Sequence, residues 1–375
     1  DLTNPLESQK LKDALAKRSA ITYDAPSIVC GKEVGGEEIP VTCPADRNIV
    51  IGTTRHAGDA DIDRALDAAV KAQKGWNALG GEGRAQILDR LADLIEEHRV
   101  PLLDLLAREA GRVIADGISE VREAADFCRY YALQARRNFA VPMALKSPTG
   151  ESNTLSLHGR GVFFCISPWN FPLAIFTGQI TAALAAGNAV IAKPADPTPL
   201  VGAYAVRLMH EAGVPTDVLH LLYGRGSKMG ATVVSDERII GVALTGSTTT
   251  AQTINRALAA KNGTINTLIA ETGGQNVMIV DSSALPEQVT DDVLTSAFSS
   301  AGQRCSALRV LYLQDSIADK VINMLKGALA ERQIGDPLDL ATDIGPVINL
   351  SSRNGLEKHI DRMHEEGKLI ARGKV

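Results

Sequence analysis

Residues 161–195 read GVFFCISPWNFPLAIFTGQITAALAAGNAVIAKPA, and the change of period inside this stretch decides the fold. GVFFCIS is a short apolar run closed by Ser-Pro, TGQITAALAA carries apolar residues at helical spacing, and AVIAK is again a short β-rich run behind Gly187-Asn188. Strand, helix, strand in this order predicts a βαβ unit with parallel strands. The alternation continues with VLHLLY, GVALT and TLIAE as strands and LVGAYAVRLMHEAG and AQTINRALAA as helices. A mostly parallel sheet covered on both faces follows. Ligands of such sheets lie at the carboxyl ends of the strands. Here those ends carry Pro168–Asn170, Lys193, Gly224, Gly246–Ser247 and Glu271.

Working outward, residues 60–131 have a different period. IDRALDAAVKAQKGW, RAQILDRLADLIEEH and VREAADFCRYYALQA place apolar residues three and four apart, which predicts a helical layer. Gly75, the Gly80–Gly83 cluster, Pro101 and Gly111 are expected to punctuate it. A stretch rich in Pro, Ser, Thr and Gly from Pro142 to Ser152 separates this layer from the βα series. After Gly274 come QNVMIV, a helix leading to GQRCS, and RVLYLQ, which read as a second αβ domain.

The bulk numbers exclude several classes. A chain of 375 residues, 45% apolar and 22% charged, can bury a large core. Its net charge of −5 is spread over interleaved signs with no basic block, so no nucleic-acid partner is expected. The most apolar stretch, Ile180 to Ala192, is shorter than the roughly 18–20 residues that span a bilayer. Cys30, Cys43, Cys128, Cys165 and Cys305 are scattered and form neither a disulfide framework nor a CxxC pair. A reducing cytoplasm and no metal site are expected. The start at Asp1, with neither Met nor a signal-peptide pattern, suggests a piece of something longer.

Taken one at a time, the polar residues at the strand ends each allow two readings. Cys305, in SSAGQRCSALRV, is either an accessible nucleophile or a packed apolar cysteine. Glu271, before Thr272-Gly273-Gly274, is a general base on a glycine turn or a surface carboxylate. Asn170, held between the prolines of SPWNFP, is an oxyanion donor or closes an Asx turn. Lys193 meets a polar ligand or is a plain surface lysine. Gly246-Ser247 opens a helix toward a phosphate or simply caps it. Residues 224–230, GRGSKMG, have one residue too many for a GxGxxG fingerprint.

The order and spacing of SPWNFP, GNAVIAKPA, LTGS, ETGGQN and GQRCSA resemble the aldehyde dehydrogenase superfamily from about Ala60 to the end of the chain. The resemblance implies an α/β fold with a Rossmann-type NAD-binding domain and an α/β catalytic domain, incomplete here. It divides the chain into 1–140 with 159–271 as the NAD-binding domain, 141–158 as an oligomerisation flap, and 272–375 as part of the catalytic domain. It also implies Cys305 as nucleophile, Glu271 as base and Asn170 as oxyanion donor. Lys193 is placed at the adenosine ribose and Gly246–Ser247 near the pyrophosphate. Ile166, Ser167, Pro168, Trp169, Ala195, Asp196, Gly224, Gly226, Thr245, Thr272 and Gly273 complete the expected cofactor site. Asp196 favours NAD over NADP, because an acid there bonds a ribose hydroxyl and repels a 2′-phosphate.

Within that superfamily, EVREAADFCRYYA, ETGGQN and the Cys305-Ser306 pair resemble the glutamate-γ-semialdehyde (1-pyrroline-5-carboxylate) dehydrogenase branch, in particular the dehydrogenase half of bifunctional proline utilisation proteins. The branch implies Glu123 near the substrate amino group and Phe171 beside its aliphatic stem, with Arg304 and Ser306 as further substrate-side candidates. A dimer is expected, and fusion to an upstream proline dehydrogenase domain. Only 70 residues follow Cys305, so the family's EIFGP segment and carboxylate-anchoring loop are absent from this sequence. Two other readings stay open: a dehydrogenase for a different aldehyde, such as succinate semialdehyde, and a non-catalytic module that keeps the fold.

Overall fold

The computed structural model describes residues 2–373, apart from the side chain of residue 227. Helix α1 (Pro5–Ala16) leads into strands β1 (Tyr23–Val29), β2 (Lys32–Val34), β3 (Glu38–Thr42) and β4 (Val50–Arg55). None of these strands is announced by the sequence, because Pro26, Pro40 and charged residues interrupt their apolar pattern. Pairing completes them: β1 runs parallel to β4, and β3 is antiparallel to β4. Cys30 (φ 50°) and Gly31 (φ 71°) make the left-handed turn that joins β1 to β2.

Helices α2 (Asp59–Ala78), α3 (Gly80–Glu97), α4 (Arg99–Ala110) and α5 (Ile114–Phe139) form the expected helical layer. Gly111, at φ 67°, ends α4 as expected. Gly75 does not end a helix: it lies inside α2, where the flanking apolar stripe is anchored by buried Ala69 and Trp76. Pro101 sits in the first turn of α4, where its missing N–H costs no hydrogen bond. Arg84 is 1% exposed and has no carboxylate partner among the described residues. Its Nε donates to Ala185 O at 3.0 Å and a terminal nitrogen to Asn77 O at 2.9 Å, so one guanidinium neutralises the negative ends of two helices.

The segment 141–158 forms an exposed hairpin of β5 (Met143–Leu145) and β6 (Asn153–Leu155). Then follow β7 (Val162–Ile166), α6 (Ala174–Ala185), β8 (Ala189–Lys193), α7 (Pro199–Ala212), β9 (Leu219–Leu221), α8 (Gly226–Val234), β10 (Ile239–Thr245), α9 (Thr248–Ala259) and β11 (Thr267–Glu271). The main sheet has the order β11-β10-β7-β8-β9-β1-β4-β3, with β2 paired to β1. Its five strands from β11 to β9 are parallel, as the βα alternation requires. The large core runs from Leu15 to Leu258 and joins the helical layer to this sheet.

Beyond it, β12 (Asn276–Val280), α10 (Pro286–Phe298), a 3-10 turn (Ser299–Gly302), β13 (Leu308–Leu313) and α11 (Asp315–Ala330) build a smaller unit, followed by α12 (Leu350–Glu366). β12 and β13 are parallel, and a separate apolar cluster of Val280, Val289, Val293, Leu308 and Val321 lies under them. The α/β class read from the sequence is the one observed. No helix among the described residues is long and apolar enough to cross a membrane.

Candidate active site and cofactor cleft

The carboxyl ends of four parallel strands lie side by side. Glu271 pairs with Thr245, Leu244 with Ile166, and Ile166 with Lys193. Because β10 and β8 flank β7 on opposite sides, the chain leaves the sheet in opposite directions there, which opens a crevice at this edge. Ser167 N donates to Lys193 O at 3.1 Å, and Gln179 Nε2 to Thr245 Oγ1 at 3.0 Å. Directly past Gly246, Ser247 caps α9 by accepting from Thr250 N at 3.0 Å. The capping reading of Ser247 therefore holds, and the positive end of the α9 dipole lies at the same edge.

Lys193 is 5% exposed, unlike a plain surface lysine. Its Nζ donates to Pro194 O at 3.1 Å and pairs with Asp196 Oδ1 at 2.7 Å. The buried Ser167 hydroxyl has no hydrogen-bond partner among the described residues. A buried hydroxyl and an ammonium-carboxylate pair at a strand edge suit the hydroxyl-rich ribose of a dinucleotide. Gly224 is required for packing, since a Cβ there would come within 2.6 Å of the Met229 side chain, whereas Gly226 faces open space. His56 follows β4; burial lowers its pKa, and Asp196, Lys193 and Arg225 act on it electrostatically. No local pattern marks His56 as a neighbour of this crevice.

Between α10 and β13 the chain makes a tight loop that ends on Cys305. Ser300 and Ala301 have φ of 57° and 54°, values that non-glycine residues rarely adopt. Ties on every side hold the loop. Asn170 Nδ2 donates to Gln303 O at 2.9 Å, and the Gln303 side chain reaches Pro346 O at 3.3 Å and accepts from Ile348 N at 3.0 Å. Arg304 donates to Thr295 O at 2.7 Å and Ser296 O at 2.9 Å, which caps the end of α10. These bonds give Arg304 an anchoring task where a substrate contact was expected. Cys43, Cys128 and Cys165 are buried, but the Cys305 thiol is exposed at the loop tip, with exposed Ser306 next to it.

Glu271 is exposed at the end of β11, and its backbone oxygen accepts from Gly246 N at 3.0 Å. The glycine turn behind it brings ETGGQN against GQRC. Asn276 Nδ2 donates to Cys305 O at 2.8 Å and to Ala307 O at 2.9 Å. A Cβ on Gly274 would lie 3.1 Å from Cys305 O and 2.9 Å from Asn276 Oδ1, so the approach of the two loops requires glycine. Asn276 was legible only as the last letter of its motif; nothing local marked it as the link.

Glu123 lies with Asp126, Phe127 and Tyr130 along one face of α5, where they form an open surface depression. Partial burial raises the Glu123 pKa, and Arg112 opposes that shift. The Arg112 guanidinium lies over the Phe171 ring, 4.5 Å from its centroid.

A thiol at a loop tip, an amide held beside it, a carboxylate on the adjoining turn and a dinucleotide-type crevice form one constellation. The chain matches the profile of the Aldehyde dehydrogenase family over residues 32–375.

The chain belongs to the aldehyde dehydrogenase family.

Among curated relatives in this family, it is similar to the bifunctional protein PutA of Escherichia coli (strain K12), 47% identical over 99% of this chain and 27% of that protein. The chain thus spans about a quarter of the length of the PutA relatives it matches. It is also 34% identical to the 1-pyrroline-5-carboxylate dehydrogenase of Geobacillus sp. (strain WCH70), covering 100% of this chain and 73% of that enzyme. The crystal structure of a 1-pyrroline-5-carboxylate dehydrogenase from Thermus with bound NAD superposes with a TM-score of 0.93, at 32% identity over 98% of this chain and 72% of that one.

Proposed function

We propose that this chain oxidises L-glutamate γ-semialdehyde, the open form of 1-pyrroline-5-carboxylate, to L-glutamate with NAD, the second step of proline catabolism. Two observations of different kinds support it: the likeness to relatives bearing that name, and the loop contact that joins Asn170, Cys305 and the Glu271 turn. The second carries the chemistry. The Cys305 thiolate forms a C–S bond to the aldehyde carbon, and the carbonyl electron pair moves onto oxygen. Asn170 and the Cys305 backbone N–H donate to that oxyanion. The oxyanion pair then returns to re-form C=O and hydride leaves this carbon, giving the thioester; NAD held along Lys193 and Gly246–Ser247 would supply the hydride acceptor. Glu271 takes a proton from water, hydroxide adds to the thioester, and the thiolate departs as glutamate forms.

Glu123 faces the substrate ammonium in this reading, Phe171 walls its stem and Ser306 lies beside the carbonyl. Residues 166–169, 195–196, 224, 226, 245–247 and 272–273 line the cofactor with Lys193. The separation of the large core, which ends at Leu258, from the cluster under β12 and β13 supports a division into an NAD-binding domain (1–140 and 159–271) and a catalytic domain from 272 onward. The apolar side chains exposed on the hairpin 141–158, among them Val141 and Met143, suit a dimer contact. An upstream proline dehydrogenase domain and a cytoplasmic location complete the proposal. NADH formation with 1-pyrroline-5-carboxylate, compared between this chain and Cys305→Ala, tests it. Turnover lost in the variant is the expected result; cofactor binding with turnover of other aldehydes only would overturn the substrate.

A further inference from the structure

Arg112 stands at the corner between α4 and α5 and is 4% exposed. One of its terminal nitrogens donates to the backbone oxygen of Asn170 at 2.8 Å and to Ser300 Oγ at 3.0 Å. Its Nε lies 2.7 Å from Glu120 Oε2, off the ideal N–H direction, so that contact acts as an ion pair more than a directed hydrogen bond. The other oxygen of Glu120, which is 0% exposed, accepts from Leu173 N at 2.9 Å and Ala174 N at 3.2 Å, at the start of α6. One buried pair therefore grips both ends of the segment that carries Asn170 and also the left-handed residue in the loop before Cys305.

Such a pair is a poor way to gain stability. Desolvating two charges costs several kcal/mol, and apolar residues of similar size often fill the space at no loss. What a guanidinium supplies is direction, because its planar donors fix the angle between the groups they hold. The two groups held here are the oxyanion donor and the nucleophile loop, whose relative placement the chemistry depends on.

We infer that Arg112, oriented by Glu120, is a positioning residue that aligns the Asn170 amide with the Cys305 loop. It touches no reacting atom and acts through Asn170 and Ser300. This inference rests on the thiol mechanism proposed above, but not on the identity of the aldehyde.

Cleavage of p-nitrophenyl acetate by Cys305 reads the nucleophile and its oxyanion donors without cofactor or natural substrate. Arg112→Lys keeps the charge and loses the directed donors; Ser300→Ala removes one tie and leaves the ion pair in place. Both are expected to slow acylation, Arg112→Lys by about tenfold or more and Ser300→Ala by less, with KM for the ester nearly unchanged. The deciding readout is a double-mutant cycle: in an Asn170→Ala background, Arg112→Lys should lose most of its effect. Multiplicative effects in that cycle, or acylation unchanged in both single variants, would overturn the inference. If Arg112→Lys fails to fold, as seen by its melting curve, Ser300→Ala and its own cycle with Asn170→Ala carry the same test. Ester cleavage without turnover of 1-pyrroline-5-carboxylate would sink the substrate reading alone. No ester cleavage by the parent chain would overturn this inference, since the aligned site it describes would not exist.

Discussion

Asn170 donates a side-chain N–H to the backbone oxygen of Gln303 at 2.9 Å, two residues before Cys305. That bond holds the amide against the nucleophile loop, and in the proposed mechanism the second N–H meets the oxyanion. Replacing Asn170 by Ala should lower kcat by about 10²–10³-fold, the typical cost of one oxyanion donor. KM should change far less, because the bond matures only as charge develops. Steady-state kinetics of the variant measures both, and a change confined to KM would remove Asn170 from that role.

In the proposed mechanism Glu271 acts after the thioester forms. In Glu271→Gln, acylation should survive while hydrolysis slows, so rapid mixing should give a burst of NADH near one equivalent per site, followed by a slow steady state. Absence of both burst and turnover would mean that Glu271 is needed earlier, to activate the thiol.

The buried Lys193 ammonium and the Asp196 carboxylate, 2.7 Å apart, should be felt in binding more than in chemistry. Lys193→Ala is expected to weaken NAD by about tenfold, the order of one hydrogen bond to a charged group. Asp196→Ala should narrow the gap between NAD and NADP. Titration followed by the fluorescence of Trp169, next to the crevice, measures both; unchanged affinities in both variants would move the ribose elsewhere.

His220 predicts how stability depends on pH. Its Nδ1 accepts from Cys30 N at 3.1 Å and Nε2 lies 3.1 Å from Asp217 O, an arrangement that suits the neutral ring. Burial lowers its pKa from 6.5 to about 4. The unfolded chain therefore takes up a proton below about 6.5 that the folded chain refuses until about 4, and stability falls as pH drops through that window. The loss is about 3 kcal/mol in all. His210, whose pKa burial also lowers, adds to it with the same sign. Urea midpoints between these pH values should fall for the parent chain and fall less for His220→Gln; parallel slopes would exclude His220 as a source.

By itself the sequence determined the elements whose signals are local. The strands read as AVIAK and TLIAE are β8 and β11 residue for residue, and α7 and α9 lie where the apolar spacing puts them, whereas the short α8 was not read as a helix. Period, Gly and Pro act over a few residues, so the βαβ order, and the strand ends that carry Lys193, Thr245 and Glu271, could be read directly. The motifs around Asn170, Glu271 and Cys305 each allowed two readings on local grounds, and only their joint resemblance to the aldehyde dehydrogenase superfamily chose between them. The tertiary structure alone decided what those residues touch. Strands β1 to β4 have no clean alternation and exist through their partners in the sheet. Arg112 meets Ser300 across 188 positions, and Asn276 meets Cys305 across 29. Arg304, next to the nucleophile in sequence, turns back to cap α10. Contacts at such separations depend on how the apolar cores pack the chain, and no local pattern in the sequence encodes that packing.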